Sequence, residues 1–142
     1  MLKKITAGLL LGALSLFAGN LDIRSYSEMR DDAASGNIKK PILFFVGSSK
    51  CGYCTQELSD MENSPEIVQL VNDKFYFVHA DQDLEELTMD LTVNLTPSMH
   101  ILNPSSLKIM TPDSIEGAVP MGQLESYLKK IDSAYQQYLK IK

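Results

Sequence analysis

The sequence predicts an α/β fold in which a central mixed β-sheet is flanked by helices on both faces. Three observations lead there. The runs 41–46 and 75–80 are apolar nearly throughout and rich in aromatic and branched residues, the composition of strands covered on both faces. Helical composition separates them, so strand, crossover and second parallel strand form a right-handed unit. Further on, Leu124, Leu128, Ile131, Tyr135 and Tyr138 recur at helical spacing and describe a last helix packed on the sheet.

The length of 142 residues fits one domain with a sizeable core, and the composition is ordinary for a soluble globular protein. A formal charge of −5 argues against nucleic acid and against anionic membrane surfaces as partners. The chain starts with the basic Met1-Leu2-Lys3-Lys4, continues through an apolar run at 5–17 and reaches the small pair Ala18-Gly19. This is the pattern of a secretory signal peptide over 1–18, which leaves 19–142 as the domain. The apolar run is short for a membrane span. An uncleaved anchor is the other reading; cleavage leaves no span in the mature chain. Export matters to the chemistry, because disulfides form and persist outside the cytoplasm.

In chain order, 20–23 leads into the mature protein. Ser25 and Glu28 have the spacing of a capping box, Tyr26, Met29 and Ala33 form an apolar stripe, and Gly36 closes this first helix. The strand at 41–46 follows. Gly47-Ser48-Ser49-Lys50 reads as a turn, and from Cys51 the composition becomes helical to about Met61. Ser64 and Pro65 restart a helix whose buried stripe is Ile67, Leu70 and Val71. After the strand at 75–80, Asp81-Gln82-Asp83 is expected to cap a short helix over 84–91. The end of 93–102 reads as a strand, 103–106 as a tight turn, 107–110 as an antiparallel return, and 115–117 as the end of the sheet.

The chemistry concentrates at Cys51-Gly52-Tyr53-Cys54, which holds both cysteines of the chain. The pair falls where a strand hands over to a helix. Unpaired N–H groups and the dipole at a helix start favour negative charge, so Cys51 is expected to have a lowered pKa and to attack as a thiolate. Lys50 adds positive charge, and Gly52 is expected to let the backbone turn closely. Cys54, one turn deeper, is placed to resolve the mixed disulfide that Cys51 forms. Zinc would need four ligands, and only the widely separated His79 and His100 remain. Covalent haem attachment needs a histidine where Thr55 stands. A structural disulfide closing so short a loop would constrain little of the unfolded chain. His79 and His100 read as core or edge histidines with local hydrogen bonds; tuning of the cysteine pair is the alternative reading for His100. The methionines read as packing.

With Cys51-Gly52-Tyr53-Cys54 and with Thr96-Pro97 just before a strand, the order of elements resembles the thioredoxin fold over nearly the whole mature chain. The stretch from Glu57 through Met61 to Glu66, and then 75–81, is similar to an exported subgroup. That subgroup includes the periplasmic thioredoxin-like domain of the transmembrane thiol reductase. The Gly-Tyr between the cysteines is similar to the periplasmic disulfide isomerase, whose separate dimerisation domain this chain lacks. The resemblance implies a cis bond before Pro97, a Thr96 backbone offered to an extended substrate peptide, and metals kept off the cysteines. It also implies a buried carboxylate on the strand before the cysteines and a lysine on the next strand. Phe45 and Phe77 stand at those positions, which leaves Glu57 or a water to serve Cys54.

These readings lead to an exported bacterial enzyme, periplasmic or otherwise outside the cytoplasm: a thiol–disulfide oxidoreductase working through a Cys51–Cys54 disulfide. It is expected to act as reductase or isomerase rather than strong oxidant, with no bound cofactor and no metal. Catalysis is assigned to Cys51 and Cys54, substrate binding to Thr96 and Pro97, and tuning to Lys50, Gly52 and Tyr53. Its partners would be protein thiols and disulfides, with a membrane electron donor among them, and the chain is expected to be a monomer. A non-catalytic binding module with a structural disulfide or a copper(I) site is the competing reading.

Overall fold

The structure is a computed structural model that describes residues 20–87, 91, 93–111 and 114–142. The expected leader over 1–18 lies outside the described residues. Nine elements follow in order: β1 (Ile23–Arg24), α1 (Tyr26–Ala34), β2 (Ile42–Gly47), α2 (Gly52–Glu62), α3 (Pro65–Lys74), β3 (Tyr76–Asp81), β4 (Ser98–Leu102), β5 (Ile115–Glu116) and α4 (Met121–Ile141). The strands form one five-stranded sheet in the order β1-β3-β2-β4-β5. β3 pairs in parallel with both β1 and β2, whereas β4 runs antiparallel to β2 and to β5. The sheet is therefore mixed, as expected.

The alternation of side chains along β2 divides the core in two. Leu43 and Phe45 face a cluster with Phe77, Met99, Ile101, Met61, Ile67, Leu124 and Leu128, built by α2, α3 and α4. Ile42, Phe44 and Val46 face the other side, with Val78, Ala80, Leu102 and the α1 residues Tyr26 and Met29. Every residue of β2 is buried, which explains why its sequence shows no polar alternation. Local chemistry sets the helix starts. The Ser25 hydroxyl accepts the Glu28 N–H at 3.1 Å, and Pro65 opens α3. Ser64 does occupy the cap of α3, but its hydroxyl lies 3.5 Å from the Glu66 carboxylate rather than on the backbone. The Tyr76 hydroxyl donates to Asp32 at 2.6 Å and ties α1 to the sheet.

Three expectations change. The leader into the domain contains a short edge strand, β1, whose two residues pair with Phe77 and Val78. The helix expected over 84–91 does not form in its described part. Leu84 and Glu85 both donate to the Asp81 carbonyl, closing a single turn, and Leu84 is 78 % exposed. Leu87 and Leu91 pack only partly buried against the core, which is too little to carry that turn onward. The antiparallel return at 107–110 makes only one bridge, Leu102 with Ile109. Asn103 explains this, because its side chain accepts from the Ser105 and Ser106 N–H groups, and the turn then forces Leu107 to a φ of 60°. A left-handed residue at that point interrupts any ladder.

Phe44 is fully buried on the face away from the cysteines. Phe44→Ala should lower the free energy of unfolding by about 3–5 kcal/mol, read from urea denaturation. Thiol exchange per folded molecule should be unchanged.

Candidate active site

β2 ends at the buried Gly47, and after three intervening residues Cys51 caps the start of α2. The Cys51 sulfur accepts the Cys54 N–H at 3.1 Å, so it sits where the first free donors of the helix converge. Cys51 and Cys54 form a disulfide, with Cα atoms 5.3 Å apart. Cys51 is half-buried and Cys54 is buried against the core. The outer and inner sulfurs expected from the sequence are thus arranged in that order.

Facing Cys51 is the segment before β4. The Thr96–Pro97 peptide bond is cis, and Pro97 is buried. The Cys51 Sγ lies 3.5 Å from the Thr96 carbonyl oxygen. The Pro97 carbonyl accepts the Gly117 N–H at 2.7 Å, which holds this segment against the end of β5. Leu95 stands beside it, 53 % exposed. Gly117 has a φ of 83°, and a Cβ there would come within 3.2 Å of Leu95 Cδ2.

The loop that carries the cysteines is anchored to the loop after β3. The Ser48 hydroxyl donates to Asp83 Oδ2, the Ser49 hydroxyl lies 3.3 Å from the same oxygen, and the Gln82 N–H donates to the Gly47 carbonyl at 3.0 Å. The Ser48 hydrogen bond holds the Asp83 carboxyl below its ordinary range, and the Lys50 charge contributes in the same direction. Lys50 is exposed, and its charge acts on Asp83.

Gly52 and Tyr53, two of the residues assigned to tuning, are both exposed. Tyr53 is 74 % exposed. A Cβ built on Gly52 would meet nothing within 4 Å, so no close approach requires a glycine there. The glycine that does permit one is Gly47, read from the sequence as part of a turn. A Cβ at Gly47 would lie 3.2 Å from His79 Nε2, 3.5 Å from Cys54 Cβ and 3.6 Å from Cys54 Sγ.

Beneath the disulfide the two positions expected to hold a carboxylate and a lysine are filled by rings. Phe45 meets Phe77 edge-to-face at 6.3 Å and His79 edge-to-face at 5.4 Å. Glu57 is buried one turn along α2 from Cys54, 2 % exposed, and its Oε1 accepts the Val119 N–H at 3.2 Å. That bond straps the segment before α4 onto α2. The two histidines lie on opposite faces of the sheet. His100 is buried beside Ser98, 3.0 Å from its hydroxyl, in the local arrangement expected and away from the cysteines. His79 shares the cysteine face with Phe45 and Gly47, paired across β2 and β3. Burial lowers the proton affinity of both imidazoles. Among the described residues no group of three or more His, Cys, Asp and Glu side chains gathers as a metal site.

Residues 28–132 match the family model of a thioredoxin-like domain. No curated protein sequence matches. Among solved structures, a thioredoxin from Thermus thermophilus is 18 % identical with a TM-score of 0.57, over 80 % of this chain and 88 % of its own. A chloroplastic thioredoxin z is 17 % identical with a TM-score of 0.55, over 81 % and 96 %. A structure described as DsbH oxidoreductase is 18 % identical with a TM-score of 0.56, over 85 % and 88 %. At these identities the likeness is one of fold.

Burial raises the Glu57 carboxyl above its ordinary value of 4.5, against the opposing effect of the Val119 N–H, and the Asp60 charge raises it further. The folded state then holds this proton more tightly than the unfolded state. The associated stability is complete below pH 4.5 and declines as pH rises through the folded pKa. Glu57→Gln removes the ionisation and keeps an oxygen for Val119. Denaturant titrations at a series of pH values should show the variant gaining on the parent across that window, and remaining at least as stable at neutral pH.

Proposed function

The chain belongs to the thioredoxin-like domain family, and we propose that it is an exported thiol–disulfide oxidoreductase acting on protein disulfides. The observation that carries this reading is the Cys51–Cys54 disulfide at the first turn of α2, with the outer sulfur facing the Thr96–Pro97 segment. The leader pattern at 1–18 supports a periplasmic location. The similarity of 57–66 and 75–81 to the exported reductase subgroup favours reduction or isomerisation over strong oxidation. A fold neighbour described as an oxidoreductase is in keeping with the same chemistry.

In the reduced protein the Cys51 sulfur keeps its place at the helix start, where the Cys54 N–H and the helix dipole favour a thiolate. The thiolate attacks one sulfur of a substrate disulfide. A Cys51–substrate disulfide forms, and the other substrate sulfur leaves as a thiolate and takes a proton. Cys54 then loses its proton and attacks the Cys51 sulfur. The second substrate sulfur leaves and is protonated, and the Cys51–Cys54 disulfide is restored. Two electrons and two protons have passed from enzyme to substrate. Isomerisation uses the first attack alone, followed by return of a different substrate thiol. The two sulfurs suffice for this chemistry without a bound cofactor.

Thr96 and Pro97 form the wall against which an extended peptide would lie, with the exposed Leu95 offering apolar contact beside it. Lys50 and Tyr53, both exposed, stand close to Cys51 along the chain. Partners are protein thiols and disulfides, and a membrane electron donor would return the enzyme to its dithiol form. We take the working unit to be a monomer.

Cys51→Ser should abolish reduction of a protein disulfide such as insulin. Cys54→Ser should still attack but accumulate a covalent enzyme–substrate species, visible on non-reducing gels. An equilibrium titration of the couple against glutathione should place it toward the reducing end. Unchanged turnover in Cys51→Ser would refute the assignment.

A further inference from the structure

Both phenylalanines beneath the disulfide are unable to accept a proton, and Glu57 is turned to the Val119 N–H. The resolving sulfur is nevertheless buried. A buried thiol resists ionisation, so resolution at neutral pH requires a base close to it. The structure brings one basic group there. His79 Nε2 and Cys54 Sγ both border the space that a side chain at Gly47 would fill, at 3.2 and 3.6 Å from its Cβ position. Their separation is therefore no more than the sum of those distances, close enough for a proton to pass between them through intervening water.

We propose that His79 is the proton acceptor for Cys54, and that Gly47 is glycine so that the imidazole and the thiol can share one space. The assignment rests on the oxidoreductase reading above. Once the mixed disulfide with substrate has formed, the Cys54 thiol passes its proton to His79 Nε2. The resulting thiolate attacks Cys51 Sγ, the Cys51–substrate bond breaks, and the leaving substrate thiolate takes up a proton from the imidazolium or from water. Electrons and protons balance without any further reactant.

The surroundings suit an imidazole that begins neutral. Half-buried, it packs against the Phe45 ring, and desolvation lowers its proton affinity. Asp81 on the same strand and Glu85 in the following turn act the other way, and both would stabilise the imidazolium as it forms. β2 brings no charged side chain to this space, and α2 brings Cys54. Among the described residues no hydrogen bond occupies the imidazole.

The test is a single-turnover measurement with the reduced protein and a mixed disulfide preformed on Cys51, following release of the substrate thiol from pH 5.5 to 9.5. His79→Gln should slow release at least tenfold at pH 7, and its rate should climb steadily with pH toward that of the parent. Alkylation of Cys51 should keep its rate. Gly47→Ala retains the histidine but crowds a methyl against both it and the sulfur, and it should show the same slow, pH-dependent release. Glu57→Gln should release substrate as the parent does. Parental release rates in both His79→Gln and Gly47→Ala would overturn the assignment, as would slow release in Glu57→Gln alone. Failure of the unsubstituted protein to exchange through Cys51 at all would instead remove the oxidoreductase reading on which it rests.

Discussion

Burial of β2 on both faces is the constraint from which the rest follows. Its six residues are buried throughout, with Phe45 and Phe44 pointing to opposite cores. A strand held this way has little freedom to slide, because a shift of one residue would exchange the two faces. Its C-terminal end is therefore a fixed point. Gly47, the anchored loop at Ser48 and Ser49, and the start of α2 are positioned from that point, and so is the outer sulfur. The parallel neighbour β3 is fixed by the same packing and ends alongside, which brings His79 to the level of the inner sulfur.

Around the sulfurs, charge and burial divide the work. The outer sulfur is served by backbone: an N–H at 3.1 Å and the dipole of an eleven-residue helix. The inner sulfur has apolar walls formed by rings. Phe45 and Phe77 below the site bring no buried charge there, and no group that could accept a proton. An imidazole is a cheaper base to bury, because its neutral form is the one that does the accepting. Among the described residues Glu57 is the one buried carboxylate, and its hydrogen bond to Val119 gives it a structural task.

Much of this was legible in the residues. Two continuous apolar runs read correctly as parallel strands because burial on both faces leaves no polar alternation. The long apolar stripe of α4 read correctly through Leu124 and Leu128, which are fully buried. The cysteine spacing and its strand–helix setting located the site. What escaped depended on contacts between distant segments. β1 is two residues long and exists only through its pairing with β3. The turn after β3 carries helical composition, yet Leu87 and Leu91 reach the core only partly buried and the described part stays a single turn. Gly52 sits inside the motif and drew attention, although its surroundings are open, whereas Gly47 matters through a histidine 32 residues further along the chain. A histidine in an otherwise apolar strand was the available signal, and its direction could not be known without the register.

The shared space at Gly47 has a consequence for how such a chain can vary. Three side-chain volumes, at 47, 54 and 79, fill one compartment, and the cysteine cannot change without loss of the second sulfur. A larger residue at 47 is then compatible only with a smaller or differently directed one at 79. In related sequences these two positions should drift as a coupled pair, with histidine at 79 accompanying glycine at 47 and disappearing where a bulky side chain takes its room.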